Sequence, residues 1–197
     1  MPKIVDHNDR REAVASAALH LIGERGIDNV TLEDISKAAG FSTRIISHYF
    51  GNKREMLLFT FVEAYKRSVA KALTVDPSID DPLLATVEGF LPIDDERARW
   101  WIAWNALGSM AVSDAEFATT SRRYMKQGEA LQRTLLARDQ EAGRIPAGTD
   151  LDLAAAKVLA LINGCAAMAL ADPKHWNRKR LRAIIAAEIA TIRSGRI

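Results

Sequence analysis

The sequence predicts an all-α protein of about nine helices, and three features carry that prediction. Apolar residues recur at helical spacing, strands of alternating β-branched residues are missing, and cap-like start signals repeat along the chain. Each start signal places an oxygen-bearing residue three positions before an acid: Asp9 and Glu12, Thr31 and Asp34, Asn52 and Glu55, Thr149 and Asp152. Stop signals fall at Gly23 and Gly26, Gly40, Gly51, Pro77 and Pro82, Pro92, Gly143 and Pro146, and Asp172-Pro173. Together they bracket helices at 9–23, 31–39, 42–48, 52–75, 83–90, 94–112, 114–142, 151–171 and 177–193. Three short helices precede the long ones. The chain therefore divides into a domain at 1–50 and a second at 51–197, connected by the helix at 52–75.

Each element has its own reason. In the first helix Val14, Ala18, Leu21 and Ile22 share a face, and in the second Leu32, Ile35 and Ala39 do. Neither helix is long enough to be stable alone, so these stripes must pack on one another. In the third, Ile45, Ile46, Tyr49 and Phe50 lie on one side and Thr43, Arg44, Ser47 and His48 on the other. The fourth opens on the Asn52 cap. The acid pairs Asp80/Asp81 and Asp94/Asp95 precede the next two helices, where they complement the positive end of a helix dipole. The last two helices are rich in Ala, Leu and Ile. The run "LAAAKVLALINGCAAMAL" is apolar over much of its circumference and must be covered on several sides.

Composition bounds the function. A hydrophobic content of 48% with 26% charged residues is that of an ordinary soluble globular protein. A net charge of +2 is too small to argue for nucleic acid, so any basic surface must be local. The single cysteine, Cys165, fits a reducing cytoplasm. The segment "MPKIVDHNDRREAV" is charged and lacks an apolar signal core. The longest apolar run is interrupted by Lys157 and Asn163, so no membrane-crossing helix is expected. His7, His20, His48 and His175 are scattered without metal-ligand spacing, and no phosphate loop or nucleophile elbow occurs. Neither catalysis nor a metal or cofactor is expected.

The stretch from Lys37 to Arg54 stands apart, with four Lys or Arg residues and no acid. Helices 31–39 and 42–48 are separated only by Gly40 and Phe41, the spacing of a helix-turn-helix whose second helix enters the DNA major groove. Small residues on its polar face let the backbone approach base edges, and Arg44 suits a bidentate pair with guanine. Ser42 caps that helix and leaves its free N–H groups toward a phosphate, and Lys53 is within reach of the same backbone. A polar face on one short helix is commonly just solvated; the paired helices, caps and acid-free run together favour DNA.

"VTLEDISKAAGFSTRIISHYFGNKREML" resembles the DNA-binding signature of TetR-family transcriptional regulators over roughly residues 10–57. The resemblance implies DNA contact at Thr31, Ser42, Thr43, Arg44, Ser47, His48, Tyr49 and Lys53. Most members carry Tyr where this chain has Ser47, and "STRIISHYF" is closer to the BetI-like branch, which responds to choline. Tyr49 falls on the packed side of the helix yet at a position the family uses on phosphate. A ring can pack while its hydroxyl stays exposed. The resemblance further implies a C-terminal ligand-binding and dimerisation domain whose last two helices form a four-helix bundle between copies, with Leu159, Ile162, Leu181, Ile185 and Ile189 at the seam. On the residues alone, an intrachain core explains those helices equally well.

Trp100, Trp101 and Trp104 cluster in "RWWIAWNALGSM". Three rings can line an aromatic cage for a quaternary ammonium, with Tyr124, Met125, Cys165 and Met168 as further walls, or they can simply pack a core. Arg97 and Arg99 nearby favour an anionic or neutral effector if they point inward. The expectation is a cytoplasmic, dimeric, ligand-responsive regulator, more often a repressor than an activator, on a palindromic duplex. A helical protein-binding adaptor without DNA activity, or a small helical enzyme, is the alternative.

Overall fold

The computed structural model describes residues 7–76 and 78–196. The expected stop at Pro77 lies outside them. Among the described residues every regular element is helical: α1 (His7–Arg25), α2 (Leu32–Ala39), α3 (Thr43–Phe50), α4 (Lys53–Ala72), α5 (Pro82–Gly89), α6 (Asp95–Gly108), α7 (Ala115–Glu141), α8 (Leu151–Ala171) and α9 (Arg178–Arg193). Short 3₁₀ turns follow α1 at Ile27–Asn29 and α6 at Ser109–Val112.

The helices gather into two compact units whose boundary differs from a cut at residue 50. One unit comprises the chain through Arg67 together with Ala98–Thr119; the other comprises Ser68–Arg97 together with the chain from Thr120 onward. The reason is in α4, α6 and α7, each of which supplies side chains to both. The apolar stripe of α4 at Met56, Phe61 and Ala64 joins the same core as α1–α3.

In the first unit, Val14, Ala18 and Ile22 of α1 meet Ile35 of α2 and Ile46 and Phe50 of α3 in one cluster, which Trp100 and Leu107 of α6 and Phe117 of α7 complete. The expected stripes of the first two helices are thus the packing faces, with Val14, Ala18, Leu21, Ile22 and Ile35 all buried. Two start signals behave differently from expectation. Asp9 lies inside the first turn of α1, which already runs from His7. Asp150, not Thr149, caps α8, its carboxylate accepting from the N–H groups of Asp152 and Leu153. Gly23 is not a stop either. The helix passes through it to Arg25, and the glycine is there because a Cβ would lie 2.6 Å from Arg99 Cβ and 2.9 Å from Arg99 Cα.

In the second unit, α9 packs on both α5 and α8. Its core holds Leu84, Val87, Leu136, Val158, Ile162 and Ile185. Two carboxylates are buried with it and each is neutralised by arginine, as buried charge requires. Asp139 accepts from Arg193 at 2.8 Å and from Arg144 at 2.6 Å, and the Arg193 fork also grips Asp81 at 2.7 and 2.9 Å. Glu88 is held by Arg178 and Arg182. The Arg193 pairing keeps the Asp81 carboxyl below the usual aspartate range.

Helix α8 is more apolar than the interruption at Lys157 and Asn163 implies, as the core helix of a soluble protein also is. With 21 residues and a mean hydropathy of 1.8 over its most apolar window, it is long and apolar enough by composition to cross a membrane. The interruption at Lys157 is answered inside the unit by Glu188 at 2.9 Å. Composition is explained by two apolar faces, one buried at Ala155, Val158, Ile162 and Cys165, the other exposed at Ala160, Gly164, Ala167 and Met168.

Gly23→Ala is expected to destabilise the protein by about 1–3 kcal/mol, because the Arg99 backbone must retreat, even though alanine is the better helix former. Thermal denaturation checks this; an unchanged or raised midpoint would mean that α1 and α6 tolerate a methyl group between them.

Candidate nucleic-acid interface

The site is built from two caps and one turn. Thr31 closes a full capping box: its Oγ1 accepts from the Asp34 N–H at 3.1 Å, and the Thr31 N–H donates to the Asp34 carboxylate at 2.9 Å. The Thr31 hydroxyl also donates to that carboxylate, at 2.5 Å, and this bond is the main cause holding Asp34 below the usual aspartate range. Gly40 ends α2 in the left-handed region at φ 73°, a conformation that costs glycine nothing, and the chain turns at once into α3. Ser42 caps α3 by accepting from the Ile45 N–H at 3.3 Å. Unlike Thr31, Ser42 still has its hydroxyl hydrogen to give outward.

The two sides of α3 separate as expected. Ile46 and Phe50 are buried, Ile45 and Tyr49 half-buried, and Thr43, Arg44, Ser47 and His48 exposed. No acidic residue stands on the exposed side. Lys53, at the first turn of α4, donates to the Val30 carbonyl at 3.3 Å, which sets its ammonium beside the entry to α2 at Thr31. All eight candidate positions therefore lie along the helix-turn-helix and the start of α4. Thr31 differs from the others in that its hydroxyl hydrogen is already given within the fold, to Asp34.

Three residues beside this surface, Arg10, His7 and Arg54, are not among the eight. Arg10, on α1, donates to the Tyr49 hydroxyl at 2.9 Å, with its guanidinium 5.8 Å from the ring centre. The His7 and His48 rings meet the same tyrosine edge-on at 4.8 and 5.5 Å. Arg10 stands one helical turn before Val14, so the stripe of α1 extended backward by four residues was the signal for it. Arg54, counted in the basic stretch, is withdrawn from the surface's charge. It pairs bidentately with Asp114 at 2.6 and 2.7 Å and with Glu116 at 2.6 Å. Asp114 meanwhile caps α7 through the N–H groups of Glu116 and Phe117. Arg54 first, and the α7 N–H groups with it, hold the Asp114 carboxyl far below the usual range.

The other expected sites are not assembled as written. Trp100 belongs to the core of the first unit, and Trp104 lies parallel to Phe61 at 4.1 Å, so one of its ring faces is already covered. A cage made of three open tryptophan faces is therefore not present; these rings pack. Arg97 turns back to the Gly89 carbonyl at 3.0 Å and pairs with Asp94. In the second unit, Cys165 is buried on α8 while Met168 is half exposed, and Met125 on α7 is exposed, so these do not form one wall. Burial raises the Cys165 thiol pKa, as expected for an inert core cysteine. Tyr124 carries the Arg123 guanidinium at 5.0 Å.

The expected dimer seam needs a larger correction. Ile162, Leu181, Ile185 and Ile189 are 3%, 1%, 1% and 3% exposed within a single chain, and Leu159 packs toward Gly128 of α7. Ile162, Leu181, Ile185 and Ile189 belong to this chain's own core, while Leu159 is half-buried. The apolar residues left outside include small ones, Ala160, Gly164 and Ala167 on α8 and Ala183 and Ala187 on α9, together with the larger Leu153 and Met168 of α8. An open depression of about 610 Å³ lies along α9, lined by Trp176, Lys179, Arg180, Ala183, Ile184 and Ala187.

A capped helix-turn-helix with an acid-free reading face, joined to a larger helical region, defines a DNA-binding regulator. Residues 14–58 match the family described as bacterial regulatory proteins, tetR family, and residues 80–194 match the BetI-type transcriptional repressor C-terminal family. The chain belongs to the TetR family of transcriptional regulators, with a C-terminal region of the BetI type; it is a regulator and not an enzyme. It is 32% identical to the regulator BetI of Agrobacterium fabrum over 154 residues, 75% of each chain. It is 28% identical to the regulator PksA of Bacillus subtilis over 195 residues, 98% of this chain and 94% of that one. Among solved structures, a transcriptional regulator from Rhodococcus superposes with a TM-score of 0.80 at 24% identity, covering 95% of this chain and 98% of that one. A regulator from Saccharomonospora viridis, solved in complex with choline, superposes with a TM-score of 0.76 at 22% identity, covering 93% and 96%.

The Arg54 cluster gives a test in acid. Asp114 titrates lower in the folded protein than in the unfolded chain, so its contribution is complete above the ordinary aspartate value and is lost as pH falls. Wild-type stability should decline below about pH 4 more steeply than that of Asp114→Asn, which keeps a cap but not the charge. Urea denaturation at stepped pH measures this. Parallel curves for the two proteins would mean that the pairing contributes nothing to stability.

Proposed function

We propose that the chain is a repressor that holds a palindromic operator as a homodimer and lets go when its C-terminal region binds a small molecule. The observation that carries the proposal is the exposed side of α3, where Thr43, Arg44, Ser47 and His48 stand clear of acids over a buried underside. An eight-residue helix fixed by Ile46 and Phe50 can lie in a major groove, with Arg44 at a base edge and Ser42, Tyr49 and Lys53 on phosphates. The location expected for such a protein is the cytoplasm, beside the genome.

Two copies are needed because one short reading helix makes too few contacts, and a palindrome matches a two-fold. The small-residue faces of α8 and α9 support assembly there, since Ala and Gly allow helices to approach closely and an exposed apolar face needs a cover. This moves the seam from Leu181, Ile185 and Ile189 to Ala160, Gly164, Ala183 and Ala187. The BetI-type match over residues 80–194 and the choline complex of a similar fold support a small-molecule effector and make choline the first compound to try. With Trp104 stacked on Phe61, the reading does not rest on a three-tryptophan cage.

Three measurements test these roles. Lys53→Ala should weaken binding to every duplex and lower the salt slope by about 1 per half-site, while Arg44→Ala should cost about 1–3 kcal/mol and relax preference at one position. Equal, purely salt-dependent losses would defeat that division, and no binding by the wild type at low salt would defeat the proposal. Ala187→Glu should yield folded monomers by sedimentation, whereas Ile185→Glu should unfold the chain, since it buries an unpaired carboxylate. A folded dimer of Ala187→Glu places the seam elsewhere. Choline should raise the thermal midpoint and weaken operator binding; a neutral isostere acting equally well would remove cation recognition from the reading.

A further inference from the structure

The Tyr49 phenol is half-buried on the packed side of α3, and the Nη1 of Arg10, itself half-buried on α1, donates to its hydroxyl at 2.9 Å. A phenol oxygen has one hydrogen, which lies near the ring plane on one side or the other, and it accepts on the side left open. A guanidinium can only donate. With Arg10 occupying one side, the hydroxyl hydrogen is directed to the other, and the tyrosine is set as a donor. A phosphate oxygen carries no hydrogen and can only accept, so that polarity is the one a DNA backbone requires. The cation also polarises the O–H bond toward donation. The Tyr49 ring cannot turn freely away, since the rings of His7 and His48 meet it edge-on at 4.8 and 5.5 Å.

We infer that Arg10 is a positioning residue of the DNA interface: it acts through Tyr49, orienting the phenol hydroxyl as a hydrogen-bond donor to a backbone phosphate, and so brings α1 into the reading surface. This rests on the reading of Tyr49 as a phosphate contact. A purely structural Arg10 would affect folding and leave the effect of Tyr49 untouched. An Arg10 that gripped a phosphate on its own would add its effect to that of Tyr49 and lower the salt slope.

The test is a double-mutant cycle on the full chain, with a fluorescent duplex selected by the wild-type protein from a random library. Arg10→Ala and Tyr49→Phe should each weaken binding by about tenfold per half-site, the range for hydrogen bonds to charged groups. Together they should weaken it by no more than either alone, and Arg10→Gln, which keeps an N–H donor without the charge, should recover part of the loss. Multiplying losses, a salt slope lowered by about 1 per half-site in Arg10→Ala, or full wild-type binding by Arg10→Ala overturns the inference while leaving Tyr49 on the phosphate. If Tyr49→Phe binds like the wild type while Lys53→Ala does not, the Tyr49 reading itself fails and the inference with it. Thermal midpoints of the variants separate lost binding from lost fold, and Arg10→Gln retains the test should Arg10→Ala not fold.

Discussion

The first unit depends on the burial of the underside of α3. Eight residues are too few for a helix to persist in water, and this one would melt without Ile46 and Phe50 locked among Val14, Ile22 and Ile35. The same contact fixes which residues face outward, because the helical repeat leaves Thr43, Arg44, Ser47 and His48 no other direction. Packing and reading are two consequences of one stripe. The caps act on the ends of that arrangement: Thr31 and Ser42 start α2 and α3 at defined residues, and the left-handed Gly40 between them sets the turn.

A second constraint is electrostatic and draws the surface's charge inward. Of the cations between Lys37 and Arg54, Arg54 faces two acids, Asp114 and Glu116, and Lys53 leans on the Val30 carbonyl. The bidentate geometry matters more than the count of charges, since an exposed pair of ordinary geometry contributes little. Here the acid also caps α7, so one carboxylate organises both the first turn of α7 and the first turn of α4. The second unit uses the same device in reverse, with buried Asp139 and Glu88 each satisfied by two arginines.

What could be read from the sequence was what repeats locally. Helical period, caps and glycine stops are all contained within a few residues, so the helices and the two sides of α3 were legible, down to the inward turn of Tyr49. Contacts between distant segments were not. Nothing near Gly23 announces Arg99, and nothing near Arg54 announces Asp114. The seam residues failed for a related reason. Leu181, Ile185 and Ile189 form a genuine apolar stripe, but a stripe records that a face is covered and not by what. The chain covers that one itself, and the face it leaves open is mostly alanine and glycine beside Met168, so a search for a stripe of large hydrophobic residues passes over it.

Release from DNA places a further demand on these parts. An effector shifts an equilibrium only by its difference in affinity between two states, so a repressor must possess a second arrangement in which the reading helices no longer fit. Moving from almost wholly bound-competent to almost wholly incompetent takes a difference of about 10⁴-fold. The core under α3 is a poor place for that difference to act, because close-packed interiors resist small displacements. The helices α4, α6 and α7 differ from α1–α3 in contributing residues to both units. The Arg54–Asp114–Glu116 cluster ties the first turn of α7 to the start of α4, two residues after the Asn52 cap and directly beside Lys53.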